Sequence, residues 1–189
     1  MIFLTSTGFS SKNVYDKFVE MANPSIEDSV AIITTASEEK EKNEFSQFAY
    51  QQLEKMGYQN IDFFDVEFQN PEELKKYNVL YMCGGNTFYL LKYLKESGAD
   101  KIISDLVKQG VVYVGVSAGS IVIGPNINIA NEVDPDPNDV KLSDLTGLGV
   151  IDLIVCPHFT EQNEDEVKKF EKKYNVSVEK MTDEQFLVQ

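Results

Sequence analysis

Short apolar runs alternate along this chain with longer stretches in which apolar residues return every three or four positions. The runs cover residues 2–5, 30–34, 61–64, 79–83, 111–116 and 151–156. Each is short and bounded by a helical stretch on at least one side, so each predicts a buried parallel strand. The stretches between them, residues 14–21, 45–56, 88–94, 102–108 and 167–174, have helical periodicity, with Gly57 and Gly110 placed as helix stops. Strand and helix therefore alternate, which predicts an α/β fold: an open, mostly parallel sheet covered by helices on both faces. At 189 residues without an obvious linker, residues 1–189 are expected to form a single domain. The stretch 124–149 reads as a loop within that domain.

Composition narrows the partners. The chain is 42% hydrophobic and 25% charged, as globular proteins are, and its net charge of −14 opposes binding to nucleic acid or to an anionic membrane surface. Every basic residue other than His158 is a lysine. Without arginine, an anionic substrate group must be held by lysine or by backbone N–H groups. Cys83 and Cys156 are far apart and form no C-x-x-C pair, which fits a reducing compartment and neither a disulfide framework nor a zinc site. The first residues lack a basic segment followed by a full apolar segment, and no apolar run is long enough to span a bilayer, so a cytoplasmic protein is expected.

In an open α/β sheet, ligands bind beyond the carboxyl ends of the strands, so the residues following each strand are the candidates for chemistry. The run 111–116 leads into Gly115-Val116-Ser117-Ala118-Gly119, a G-x-S-x-G at a strand-to-helix turn. Such a turn strains the serine backbone and projects Oγ outward as a nucleophile; the alternative is a tight turn whose glycines serve packing. His158, the only histidine, follows the run 151–156 and is expected at the same edge, as general base for Ser117. Gly84-Gly85-Asn86-Thr87 follows the run 79–83, and the N–H groups of Gly85 and Ala118 are the candidate oxyanion donors. Acids are abundant, and periodicity does not choose the partner of His158 among Asp183, Glu184 and the loop acids Asp134, Asp136, Asp139 and Asp144. Asp134, Asp136 and Asn138 alternate as in a calcium loop, but Asp139 and Leu145 stand where glycine and glutamate are needed. No metal or organic cofactor is expected.

Three blocks together carry a resemblance: Cys83-Gly84-Gly85-Asn86-Thr87-Phe88 with Leu90-Leu91, Tyr113-Val114-Gly115-Val116-Ser117-Ala118-Gly119, and Pro157-His158-Phe159-Thr160. In order and separation they resemble the peptidase E family of serine peptidases, which includes aspartyl dipeptidases and is related to cyanophycinases. The resemblance implies a three-layer, glutamine-amidotransferase-like sandwich. It implies a triad in the order nucleophile, histidine, acid, with Asp183 as the acid and Glu184 as its alternative, and it makes Asn86 and Thr87 candidate substrate-binding residues. The implied activity is hydrolysis of short peptides by a monomer or homodimer, with a preference for N-terminal Asp. Two departures stand out. Asp183 takes the place of a family Glu, and the segment after His158 offers Lys168, Lys169, Lys172 and Lys173 where family members are thought to use an arginine. The chain closes at Gln189 inside what reads as a last strand, as a shortened member would. The rival readings are an α/β-hydrolase-type esterase, with its triad acid between nucleophile and histidine, and a catalytically weak binding or regulatory homologue. An amidotransferase would need cysteine in place of Ser117.

Overall fold

A computed structural model describes residues 1–189. Its centre is a six-stranded sheet in the order β3-β2-β4-β5-β1-β8, formed by β1 (Ile2–Thr5), β2 (Ser29–Ile33), β3 (Asn60–Phe64), β4 (Val79–Met82), β5 (Val112–Val116) and β8 (Phe186–Val188). The first five are parallel and β8 is antiparallel to β1. β1, β2, β4 and β5 are largely buried because both faces of the sheet are covered there, whereas the run 61–64, expected to be buried, forms the edge strand β3, which is only partly buried, with Asp62 exposed. On β4, Val79 and Tyr81 pack on one side, while Leu80 and Met82 pack on the other.

Helices α1 (Lys12–Ala22) and α2 (Glu44–Lys55) cover the first face through Val14, Phe18, Ala49 and Leu53. The second face lies under α3 (Thr87–Ser97), α4 (Ala99–Lys108) and α5 (Ala118–Val122), with α6 (Ile129–Glu132) and α7 (Glu164–Tyr174) beyond. This is the predicted α/β architecture, a mostly parallel sheet between two helical layers.

Two expectations need correction. Of the run 151–156 only β6 (Ile154–Cys156) is a strand, and it pairs in parallel with β7 (Val178–Lys180) in a separate two-stranded sheet. The place beside β1 is filled by β8, and the N–H groups of Val150 and Ile151 are directed to Ile123 O. The stretch 124–149 is not merely loop: it contains α6 and buries Ile127, Ile129, Ala130 and Val133 against the second core. Its acids form no metal-ligating cluster. Asp136 instead accepts the Thr87 N–H at the start of α3 (2.8 Å), and Asp144 pairs with Lys95 (2.6 Å).

Candidate active site

The carboxyl ends of β1, β2, β4 and β5 open onto a cleft of about 1100 Å³ whose lining includes Ser6, Gly84, Gly85, Ser117 and His158. Ser117 follows β5 with φ 49° and ψ −109°, a backbone region that side-chain-bearing residues rarely occupy. Bonds on both sides hold it there. Its N–H donates to Thr5 O (3.0 Å), and its carbonyl accepts from the N–H groups of Ser120 (2.8 Å) and Ile121 (3.1 Å). Ser120, fully buried, donates from Oγ to Thr5 O (2.8 Å) and accepts the Thr5 N–H (3.2 Å), which ties α5 to β1. A Cβ on Gly119 would lie 2.4 Å from Met82 O, so the second glycine of the motif permits α5 to approach β4.

Two backbone N–H groups near Ser117, those of Gly85 and Ala118, lack acceptors within the protein. Gly85 has φ 137°, and a Cβ there would stand 2.4 Å from Ala36 O, so only glycine fits this loop beside the cleft. The Gly85 N–H has no acceptor within the protein, whereas that of Asn86 donates to Ala36 O (2.9 Å). Ala118 opens α5, where a first-turn N–H has no helical acceptor. Asn86 and Thr87 are placed differently from the candidates above: neither lines the cleft. Asn86 Oδ1 caps α3 by accepting the Tyr89 N–H (2.8 Å), and its Nδ2 donates to Pro137 O (2.8 Å). Thr87 is buried.

His158 enters the cleft from the separate β6–β7 sheet, with its backbone at φ 53°. Its Nδ1 lies 2.7 Å from Asp183 Oδ1, while Glu184 forms no hydrogen bond and Asp144 is engaged with Lys95. A carboxylate accepts only, so Nδ1 is the donor in this contact, and a neutral ring then carries its lone pair on Nε2. Ser117 and His158 line one cleft but form no hydrogen bond with each other in this resting geometry. Catalytic hydrogen bonds often tighten only when substrate arrives.

Sequence reasoning did not find what holds the imidazole. Ser6 Oγ accepts the His158 N–H (3.0 Å) and donates to Met181 O (2.9 Å), and Thr7 Oγ1 donates to Asp183 O (3.0 Å). One turn after β1 thus fixes both the histidine segment and the acid segment. The only signal was position: Thr5-Ser6-Thr7-Gly8 follows a strand at the carboxyl edge. Cys83 also lines the cleft, but burial pushes its thiol up to about 12, which leaves it protonated and a poor nucleophile at neutral pH.

Fold and cleft together define an α/β protein that gathers reactive side chains at the carboxyl edge of a parallel sheet. The chain belongs to peptidase family S51, whose sequence profile matches residues 2–188. It is 33% identical over 162 residues to an uncharacterized peptidase of Listeria monocytogenes, covering 84% of this chain and 77% of that one. It is 39% identical over 92 residues to peptidase E of Salmonella arizonae, a match spanning 47% of this chain and 37% of that protein. A crystal structure from Listeria monocytogenes EGD-e, of a protein whose peptidase E assignment is itself provisional, superposes with a TM-score of 0.83 at 27% identity and covers 98% of this chain and 91% of that one. Family membership places the chain among peptidases. No helix is long and apolar enough to cross a membrane.

Proposed function

We propose that this chain is a serine peptidase that hydrolyses short peptides, dipeptides foremost, through an acyl-enzyme on Ser117. The observation that carries the reading is the strained serine opening onto the same cleft as an imidazole whose Nδ1 lies 2.7 Å from a carboxylate. Ser117 Oγ attacks the scissile carbonyl carbon as its proton passes to His158 Nε2, and Asp183 stabilises the imidazolium. Negative charge collects on the former carbonyl oxygen, within reach of the Gly85 and Ala118 N–H donors. Collapse breaks the C–N bond, and the imidazolium gives its proton to the leaving amine. Water then attacks the ester with the same imidazole as base, which releases the acid and restores Ser117. No step uses a metal or organic cofactor. The lining of the cleft contains no lysine and the chain no arginine, so a preference for N-terminal Asp is not part of this reading.

Labelling with a serine-directed phosphonate, joined to a dipeptidase assay, tests the proposal. Wild type is labelled at residue 117 and turns over dipeptides, and Ser117→Ala loses the label and falls to background. Unchanged hydrolysis by Ser117→Ala overturns it.

A further inference from the structure

Helix α2 buries Ser46, Ala49 and Leu53 against the sheet, yet carries two large rings on its other side. Phe45 is 72% exposed and Phe48 is 38% exposed, and both line the cleft that holds Ser117. Their spacing of three residues puts them on one helical face, as a pair. Rings left in water forgo about 1.5–3 kcal/mol of burial each, so a paired aromatic face inside a cleft is a surface to which an apolar group adds readily. Next to them on the lining is Glu44, which has no ion pair and no hydrogen-bond partner. It is the only Asp, Glu or Lys on the lining.

The two lysines just before α2, Lys40 and Lys42, do not reverse this charge balance: neither is on the lining, and Lys40 is already paired. Lys40 Nζ sits between Asp65 Oδ2 (3.1 Å) and Glu67 Oε2 (2.8 Å) and faces the Tyr89 ring at 4.8 Å. Burial alone would raise the Glu67 carboxyl, but hydrogen bonds from Lys40 and Tyr89 outweigh it and lower its pKa, which keeps the ion pair charged. An acidic substrate side chain entering the cleft would lose water and meet Glu44 with no lysine on the lining to replace that water. An ammonium group would find a complementary charge there.

We infer that the cleft selects peptides with a free α-amino group and a large apolar side chain on the residue that supplies the scissile carbonyl. The side chain lies on Phe45 and Phe48, the ammonium is drawn to Glu44, and acidic N-terminal residues are disfavoured. This inference rests on the serine peptidase reading and names its substrate class.

The test compares kcat/KM of the full chain for Leu-Gly, Phe-Gly, Asp-Gly and N-acetyl-Leu-Gly, with phosphonate labelling of Ser117 run in parallel as a separate measure of the nucleophile. The expected result is an advantage of about 100-fold for Leu-Gly and Phe-Gly over Asp-Gly, in the range that a pocket's apolar contacts and an uncompensated charge provide. The double substitution Phe45→Ala, Phe48→Ala is expected to reduce that advantage about tenfold. Glu44→Gln is expected to reduce the margin of Leu-Gly over its acetylated form about fivefold. All three positions lie on the cleft side of α2, not in its buried face, so the variants keep their core contacts. Equal or faster hydrolysis of Asp-Gly, or ratios unmoved by the variants, overturns the inference while labelled Ser117 leaves the serine reading standing. Labelling with no hydrolysis of any dipeptide also overturns it. If light scattering shows that the double variant splits a dimer without moving the ratios, the aromatic face is a contact between copies and the inference fails. Absence of both labelling and turnover removes the reading beneath it.

Discussion

The two halves of the candidate site are held by different physics. Ser117 is fixed by packing: a left-handed backbone locked between β1 and α5, with Gly119 against Met82 O and Gly85 against Ala36 O, at distances where no Cβ fits. His158 and Asp183 stand on the small β6–β7 sheet and the turn beyond it, with side chains 37% and 60% exposed, and are fixed by a few hydrogen bonds to Ser6 and Thr7. Packing tolerates no added atom, and the polar contacts beside it are buried, from backbone groups and the Ser120 hydroxyl. A hydrogen-bonded scaffold is sensitive instead to the loss of single polar groups.

The largest predicted effect falls on the polar half. Asp183→Asn leaves Nδ1 facing a neutral amide that favours the wrong tautomer, and kcat is expected to fall about 10²- to 10⁴-fold. Glu184→Gln serves as the paired control, with kcat expected within about twofold of wild type because surface substitutions of this kind are usually near neutral. Steady-state kinetics on both variants decides between the carboxylates. A large loss in Glu184→Gln, with Asp183→Asn active, would reverse their roles.

Gly119→Ala probes the packed half. The added Cβ meets a backbone oxygen of β4, which cannot rotate away, as well as Met82 Cγ at 2.9 Å. Overpacking of this kind costs about 1–3 kcal/mol, read as a lowered urea midpoint with an unchanged m-value. A midpoint equal to wild type would mean that α5 can lift from β4 freely, and the contrast with the imidazole half would dissolve.

Ser6→Ala has a smaller expected effect on stability, about 1–2 kcal/mol, because it removes the acceptor of the His158 N–H and the donor to Met181 O. Its diagnostic consequence is kinetic. As a positioning residue, Ser6 acts through His158, so kcat should fall while KM stays near wild type, and Ser6→Thr, which retains the hydroxyl, should recover most of the loss. A loss confined to KM, or no rescue by threonine, would assign Ser6 to substrate contact or to general stability.

The same contrast explains what was legible in the sequence. Features imposed by local sterics could be read: the doubly apolar strands, the helix stops, and a serine between glycines at the end of a strand. The place of Ile154–Cys156 could not, because a three-residue apolar strand carries no label for the sheet it joins. That choice depended on β8 filling the edge beside β1, nearly the whole chain away in sequence. Asp183 sits 2.7 Å from Nδ1 and Glu184 does not, yet the two are adjacent in sequence. One residue of register in a turn decides which carboxylate faces the ring, and composition is blind to it. Ser6 and Thr7 were hidden for a related reason: a hydroxyl that bridges two distant segments looks like any solvated turn residue until those segments are in place.

The smallest effect concerns alkaline pH and bears on the packed half. Burial raises the Cys83 thiol from an ordinary value of 9.0 to about 12, and burial, helped by the charge of Asp28, raises the Tyr58 hydroxyl from 10.0 to about 12. Both residues belong to the core under α1 and α2. In each case the native state keeps a proton that the unfolded chain releases first. The stabilisation is therefore complete below pH 9 and lost progressively as pH rises from 9 through 12. On the polar half Cys156 behaves similarly, raised to about 11 by burial first and by Asp134 second. Urea midpoints measured from pH 8 to pH 11 should hold steady and then decline, and Cys83→Ala should flatten the decline by removing one of the titrating groups. A decline equally steep in Cys83→Ala and wild type would show that the packed core does not enclose the thiol as tightly as its 5% exposure implies.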